Sequence, residues 1–140
     1  DMTRQRILTS VFALATAVLV TLFATGCSFS VSTANIKSAR LAKDAEGTQE
    51  TTVFSQRDKI FAIVVLANAP DSTVTKARWI AADVQADVPK DHTIQEVELE
   101  HGSGTLTFDL ANDDLWPKGK YRVDILLDEE LKESLEFTVE

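Results

Sequence analysis

Two histidines, one cysteine and a scatter of carboxylates are the side chains in this 140-residue chain with the capacity for chemistry. His92 follows Asp91 and His101 follows Glu100, but neither sits in a His-x-x-x-His spacing, and one Cys cannot make a Cys-x-x-Cys pair. His92 therefore reads as a solvated loop residue, and His101 as a strand-end residue leading into a turn. Asn112-Asp113-Asp114 gathers three oxygen-bearing side chains, a donor set suited to calcium, without the alternation and distal Glu of an EF-hand loop. Asn and Asp also bond their own backbone, so turn chemistry accounts for the run. Glu96, Glu98 and Glu100 share one face of an alternating segment. General acid–base work needs a partly buried carboxyl, whereas such a row reads as a solvated face that discourages aggregation. The sequence carries no Gly-rich phosphate loop, Gly-x-Ser-x-Gly elbow or Ser/His/Asp set. No enzyme activity, metal or cofactor is expected.

The segments that hold these residues alternate with period two between turn signals. Strands are expected over residues 36–41, 51–54, 59–67, 74–84, 93–101, 105–110, 122–127 and in the stretch containing Leu135, Phe137 and Val139. Asn68-Ala69-Pro70-Asp71 ends the third because Pro cannot donate to a ladder. His101-Gly102-Ser103-Gly104 reads as a tight turn, and Asp128-Glu129-Glu130 as the turn of a C-terminal hairpin. In the fifth strand Val97 and Leu99 share a face opposite the glutamates. Seven or eight short strands in about 105 residues indicate an all-β sandwich or small barrel.

Composition is uneven along the chain. Residues 7–26 hold no charged side chain and follow Arg4 and Arg6, while every acid except Asp1 lies at or beyond Asp44. A positive start, an apolar run and small residues at its end are the marks of a secretory signal, here residues 1–26. The net charge of −8 becomes −9 for residues 27–140, which argues against nucleic acid as a partner, since phosphates require Lys and Arg. Residues 27–35, rich in Ser and Thr, read as a tether, and residues 36–140 as one domain.

Leu22-Phe23-Ala24-Thr25-Gly26-Cys27 resembles the lipobox of bacterial lipoproteins, with Ala24 where Leu is commonest. The resemblance implies cleavage before Cys27 and a diacylglyceryl group on its sulfur. It further implies acylation of the new N-terminus and attachment to a bilayer in the cell envelope. Ser28 after the Cys fits sorting to the periplasmic side of an outer membrane in a Gram-negative host. An uncleaved transmembrane anchor is the rival topology, because twenty residues span about 30 Å as a helix; simple secretion is a third. Downstream, Trp79 within a long strand and Gly119-Lys120-Tyr121 before the penultimate one resemble immunoglobulin-like domains. That implies an immunoglobulin-like antiparallel β-sandwich of seven or eight strands after the signal or anchor helix, lacking the inter-sheet disulfide of antibody domains. Leu66-Ala67-Asn68-Ala69-Pro70 and Trp116-Pro117-x-Gly119-x-Tyr121 with Phe137-x-Val139 are also similar to uncharacterised bacterial lipoprotein domains. Those motifs set a fold and carry no activity.

One strand breaks the alternation. Phe61, Ile63 and Val65 are as apolar as Ile60, Ala62, Val64 and Leu66 between them, and Ile80 and Leu126 also fall out of phase with their strands. Either the second face of a central strand is covered, or these five residues form an exposed face for a protein partner or a second copy. Two functions follow: a membrane-tethered accessory or scaffolding lipoprotein, or a ligand-binding or inhibitor module using loops 85–92 and 111–118. In the second, Trp116 is an exposed anchor.

Overall fold

The computed structural model describes residues 33–140. The expected signal, Cys27 and the start of the tether lie outside the described residues. Eight strands are present: β1 (Asn35–Ala42), β2 (Val53–Phe54), β3 (Ile60–Ala67), β4 (Val74–Val84), β5 (His92–Glu100), β6 (Gly104–Leu110), β7 (Gly119–Leu127) and β8 (Glu130–Val139). They form a three-stranded sheet in the order β1-β3-β6 and a five-stranded sheet in the order β2-β8-β7-β4-β5. All neighbours are antiparallel except the two-residue β2, which runs parallel to β8.

The alternation of each strand decides what it buries. Ala62, Val64 and Leu66 of β3 and Leu106, Phe108 and Leu110 of β6 meet Ala77, Trp79 and Ala81 of β4 and Tyr121, Val123 and Ile125 of β7 in one core. The order matches an immunoglobulin-like sandwich in which β1, β3 and β6 occupy the A, B and E places and β4, β7 and β8 the C, F and G places. Two side chains confirm the match. Trp79 on β4 is fully buried. Tyr121, near the start of β7, donates its hydroxyl to the Pro117 carbonyl oxygen at 2.5 Å, the tyrosine corner of such folds. Val123, two residues on, pairs with Trp79 across the sheet where antibody domains place a disulfide cysteine. Aromatic contacts fill this centre: Phe137 stacks on Tyr121 at 5.3 Å and meets Phe54 and Trp79 edge-on at 5.5 and 6.2 Å.

The structure departs from the sequence reading in its connections. Residues 101–104 make no hairpin; they carry the chain from the five-stranded sheet to the three-stranded one. The register of β5 slips between Trp79 and Ile80 of its partner, so Ile94 is the extra residue of a bulge. Ile94 and Val97 consequently both pack on the core despite their odd spacing, while Leu99, expected beside Val97, remains 37% exposed. Asp128 and Glu129 close the β7–β8 hairpin with φ of 46° and 69°, the two positive values of a type I′ turn. Asp128 accepts the Val74 N–H on its carboxylate at 3.0 Å and donates its own N–H to the Val74 carbonyl at 2.9 Å, holding the turn to β4.

Burial pushes the phenol of Tyr121, the one tyrosine, up to about 12. A raised folded value favours the folded state below the unfolded value near 10, and that contribution is lost as pH rises through 12. Tyr121→Phe is expected to lower stability by about 1–2 kcal/mol at pH 8 through loss of the corner bond. The gap to the unsubstituted chain should narrow between pH 10 and 12. Urea unfolding midpoints at pH 8 and 11 check both statements, and a gap unchanged with pH contradicts them.

Candidate functional site

β4 ends, and β5 and β7 begin, at one end of the sandwich, where residues 85–91 and 111–118 form neighbouring loops. The Gln85 N–H donates to the Lys118 carbonyl at 2.8 Å and joins the two. Within the first loop, Val88 N–H bonds Ala86 O at 2.9 Å, and Asp91, at a φ of 58°, donates its N–H to Ala82 O at 3.1 Å. The Asp91 carboxylate accepts from Arg122 Nη1 at 2.5 Å, a bond that raises the guanidinium's pKa further.

The second loop is fixed by Trp116. Its backbone N–H donates to Gln56 O at 2.9 Å, its carbonyl accepts from Gln56 Nε2 at 2.9 Å, and its indole Nε1 donates to Asp58 O at 3.1 Å. The 55–58 turn that receives these bonds is itself held by Asp58. The Ser55 N–H donates to that carboxylate at 2.7 Å and keeps its pKa below the usual range, aided by Lys43 at 3.3 Å and opposed by burial. Trp116 is therefore 5% exposed and packs edge-on to Tyr121 at 6.3 Å. It belongs to the core and is not the solvent-exposed anchor of the ligand-binding reading, because its indole and backbone are bonded to the 55–58 turn.

Between the loops lies a notch of about 210 Å³, lined by Ala81, Val84, Ala86, Val88, His92, Ile94, Asn112, Trp116, Pro117 and Tyr121. Its walls are apolar, with His92 and Asn112 as the polar exceptions, and Val88 at its lip is 39% exposed. Such a lining accepts an aliphatic or aromatic group of modest size and orients it with one or two hydrogen bonds. Both loops singled out in the sequence meet here and bring Val88 and Pro117 with them, whereas Ile94 of β5 lies outside both. No local signal marks Ile94, which the register break against β4 turns inward.

The five residues expected to form one partner face are not brought together. Phe61, Ile63 and Val65 lie on the outer side of the three-stranded sheet, and Ile80 and Leu126 on the outer side of the five-stranded one. Ile63, Ile80 and Leu126 are buried. Lys59 Nζ sits 5.2 Å from the centre of the Phe61 ring and 3.3 Å from Asp109. On the other sheet, Lys76 pairs with Glu129 at 2.8 Å and Glu98 at 3.2 Å, and Arg78 with Glu96 at 2.7 Å. Their apolar stems lie on the face that carries Ile80 and Leu126. The glutamate row is thus partly a set of ion-pair partners, and the hydrogen bonds that Lys76 donates to Glu129 and Glu98 raise its pKa. His101 is exposed, with Nδ1 2.8 Å from Gly102 O. Asn112 Oδ1 accepts the Asp114 N–H at 3.4 Å, the expected turn bond, and no metal-holding group of His, Cys, Asp or Glu occurs among the described residues.

No protein-family model matches the chain, and no curated protein matches it. Solved structures do. An immunoglobulin-like protein of Pseudomonas aeruginosa is 15% identical over 82% of this chain and all of that one, with a TM-score of 0.49. An alkylpurine DNA glycosylase of Pseudomonas fluorescens is 16% identical with a TM-score of 0.49, over 76% of this chain and 30% of that chain. A β-glucosidase of Listeria innocua is 15% identical with a TM-score of 0.49, over 79% of this chain and 17% of that chain. The chain therefore spans less than a third of either enzyme, and neither activity transfers to it at this level of likeness.

With Trp79 replaced by Phe, the remaining indole reports on the notch wall. Acrylamide quenching of Trp116 is expected to be several-fold weaker than in the urea-unfolded chain. Equal quenching in the two states would show an open indole.

Proposed function

We propose that the chain is a lipid-tethered, non-catalytic interaction domain of a bacterial envelope that presents its loop-end notch to a partner. The observation that carries this reading is where the chain enters the fold. Thr33 lies beside Asn68, with its hydroxyl 3.3 Å from the Asn68 carbonyl, and Asn35 pairs with Ala67 at the end of β3 where β4 begins. The notch sits at the opposite end of β4, eleven residues or about 35 Å away. Entry at Thr33 and the notch therefore occupy opposite ends of the described domain, which leaves the notch free of the chain's entry point. Hydrogen bonding within the loops supports the same reading, since the bonds that hold Trp116 and Asp91 reduce what must be ordered on binding. The acidic balance favours partners that are neutral or basic over those that are acidic.

Two measurements test the proposal in cells. Labelled palmitate should enter the unsubstituted chain and be lost in Cys27→Ser, with the membrane-bound protein showing the mass of a chain beginning at Cys27. A full-length mass in the membrane fraction would establish the uncleaved anchor instead. A photo-crosslinking residue placed at Val88 should give a discrete adduct that the same residue at Leu131, exposed on the β7–β8 hairpin at the tether end, does not. Identical patterns from both positions would overturn the notch as the contact surface.

A further inference from the structure

β1 closes against β8, with a cleft between them lined by Ala39, Leu41, Ser134 and Leu135 among others. Counting strands from that side puts β3 over β7 and β6 over β4, which leaves β5 with no strand facing it. Its inward side carries Ile94 and Val97, both half-buried, and the exposed Leu99. Beside this strip runs β6, which pairs only with β3 among the described residues. The other sheet edges are guarded. β1 and β5 each have a register break, β5 adds Glu96, Glu98 and Glu100, and β2 has two residues. β6 has seven residues in unbroken register, no Pro or Lys, and Asp109 as its one charge.

We infer that this open place beside β6, floored by Ile94, Val97 and Leu99, is a docking groove for an extended peptide segment of a partner, added as a fourth strand to the three-stranded sheet. Main-chain hydrogen bonds to the β6 edge supply affinity, and alternate side chains of the peptide drop onto the β5 floor. The ligand's chemistry follows from the walls. Inward positions are aliphatic, to cover Leu99 and Val97. Outward positions continue the row of Thr105, Thr107 and Asp109 and are polar or basic in a chain of net charge −8. A second folded copy does not fit. Antiparallel pairing of two β6 edges about a two-fold axis would put the copy's five-stranded sheet in the same layer, with its β5 on this β4. The overhang that opens the groove thus admits one strand and excludes a sheet. The crossover at residues 101–103 bounds the groove at the tether end, and Ile94 carries its floor into the notch at the other. The inference rests on the interaction reading above and names its ligand class.

The test uses the full chain in detergent micelles and a synthetic nonapeptide alternating valine with threonine and lysine. Binding should slow amide hydrogen exchange in residues 104–110 by tenfold or more and leave β1 unchanged. Leu99→Lys, a change at an exposed position, should weaken binding at least tenfold. The same peptide N-methylated at alternate residues should not bind, since it keeps the side chains and loses the edge-facing N–H groups. Equal binding by the methylated peptide, or binding without protection of β6, overturns strand addition. So does an absence of binding by the unmodified peptide. Intact Val88 adducts alongside any of these results leave the notch reading standing, and lost adducts with strand addition intact remove the notch alone.

Discussion

A sheet hides a face only where another layer covers it, and here five strands are faced by three. From that inequality the rest of the surface follows. Where the layers overlap, β3, β4, β6 and β7 carry apolar residues inward and form a closed core. Where they do not, β5 is left with a bulge that turns Ile94 back to the core and with Leu99 in water. The outer side of the larger sheet takes the opposite solution. Its out-of-phase apolar residues, Ile80 and Leu126, are buried among paired cations. The domain thus has one sheet face closed by charge and one left open at its edge.

The core holds without the disulfide that pins many related sandwiches, because aromatic packing occupies its place. Val123 pairs with Trp79, and Phe137 touches Phe54, Trp79 and Tyr121. Trp79 Nε1 has no hydrogen-bond partner there, a polar atom accepted in exchange for the bulk of the indole. Tyr121 links this centre to the loop end, since its ring lies on Phe137, its hydroxyl holds Pro117, and its edge meets Trp116. The notch wall is an extension of the core, and hydrogen bonds tie its second loop to that core.

The strands and the identity of the fold were legible because they rest on local signals. Period-two alternation marks each strand, Trp79 sits mid-strand, and Gly119-Lys120-Tyr121 stands at a strand start. What was not legible depends on which strand lies beside which. The five apolar residues of the expected partner face share a pattern, but Phe61, Ile63 and Val65 belong to one sheet and Ile80 and Leu126 to the other. Ile94 has the wrong parity for a core residue until a bulge shifts it, and a bulge is a relation between two strands. Trp116 lies among polar turn residues, so its burial depends on Gln56 and Asp58, some sixty residues away in sequence.

The arrangement of Thr33 and the notch at opposite ends also has a mechanical meaning. A pull exerted between Thr33 and the loops at the far end acts along the strands. It reaches the fold through β1, whose ladder to β3 extends from Asn35 to Ala42 with hydrogen bonds lying across the line of force. Loaded this way, the bonds share the strain and fail together; pulled from its edge, the same ladder would open one bond at a time. Entry of the chain at one end and the notch at the other therefore set the β1–β3 ladder to resist a pull along the strands.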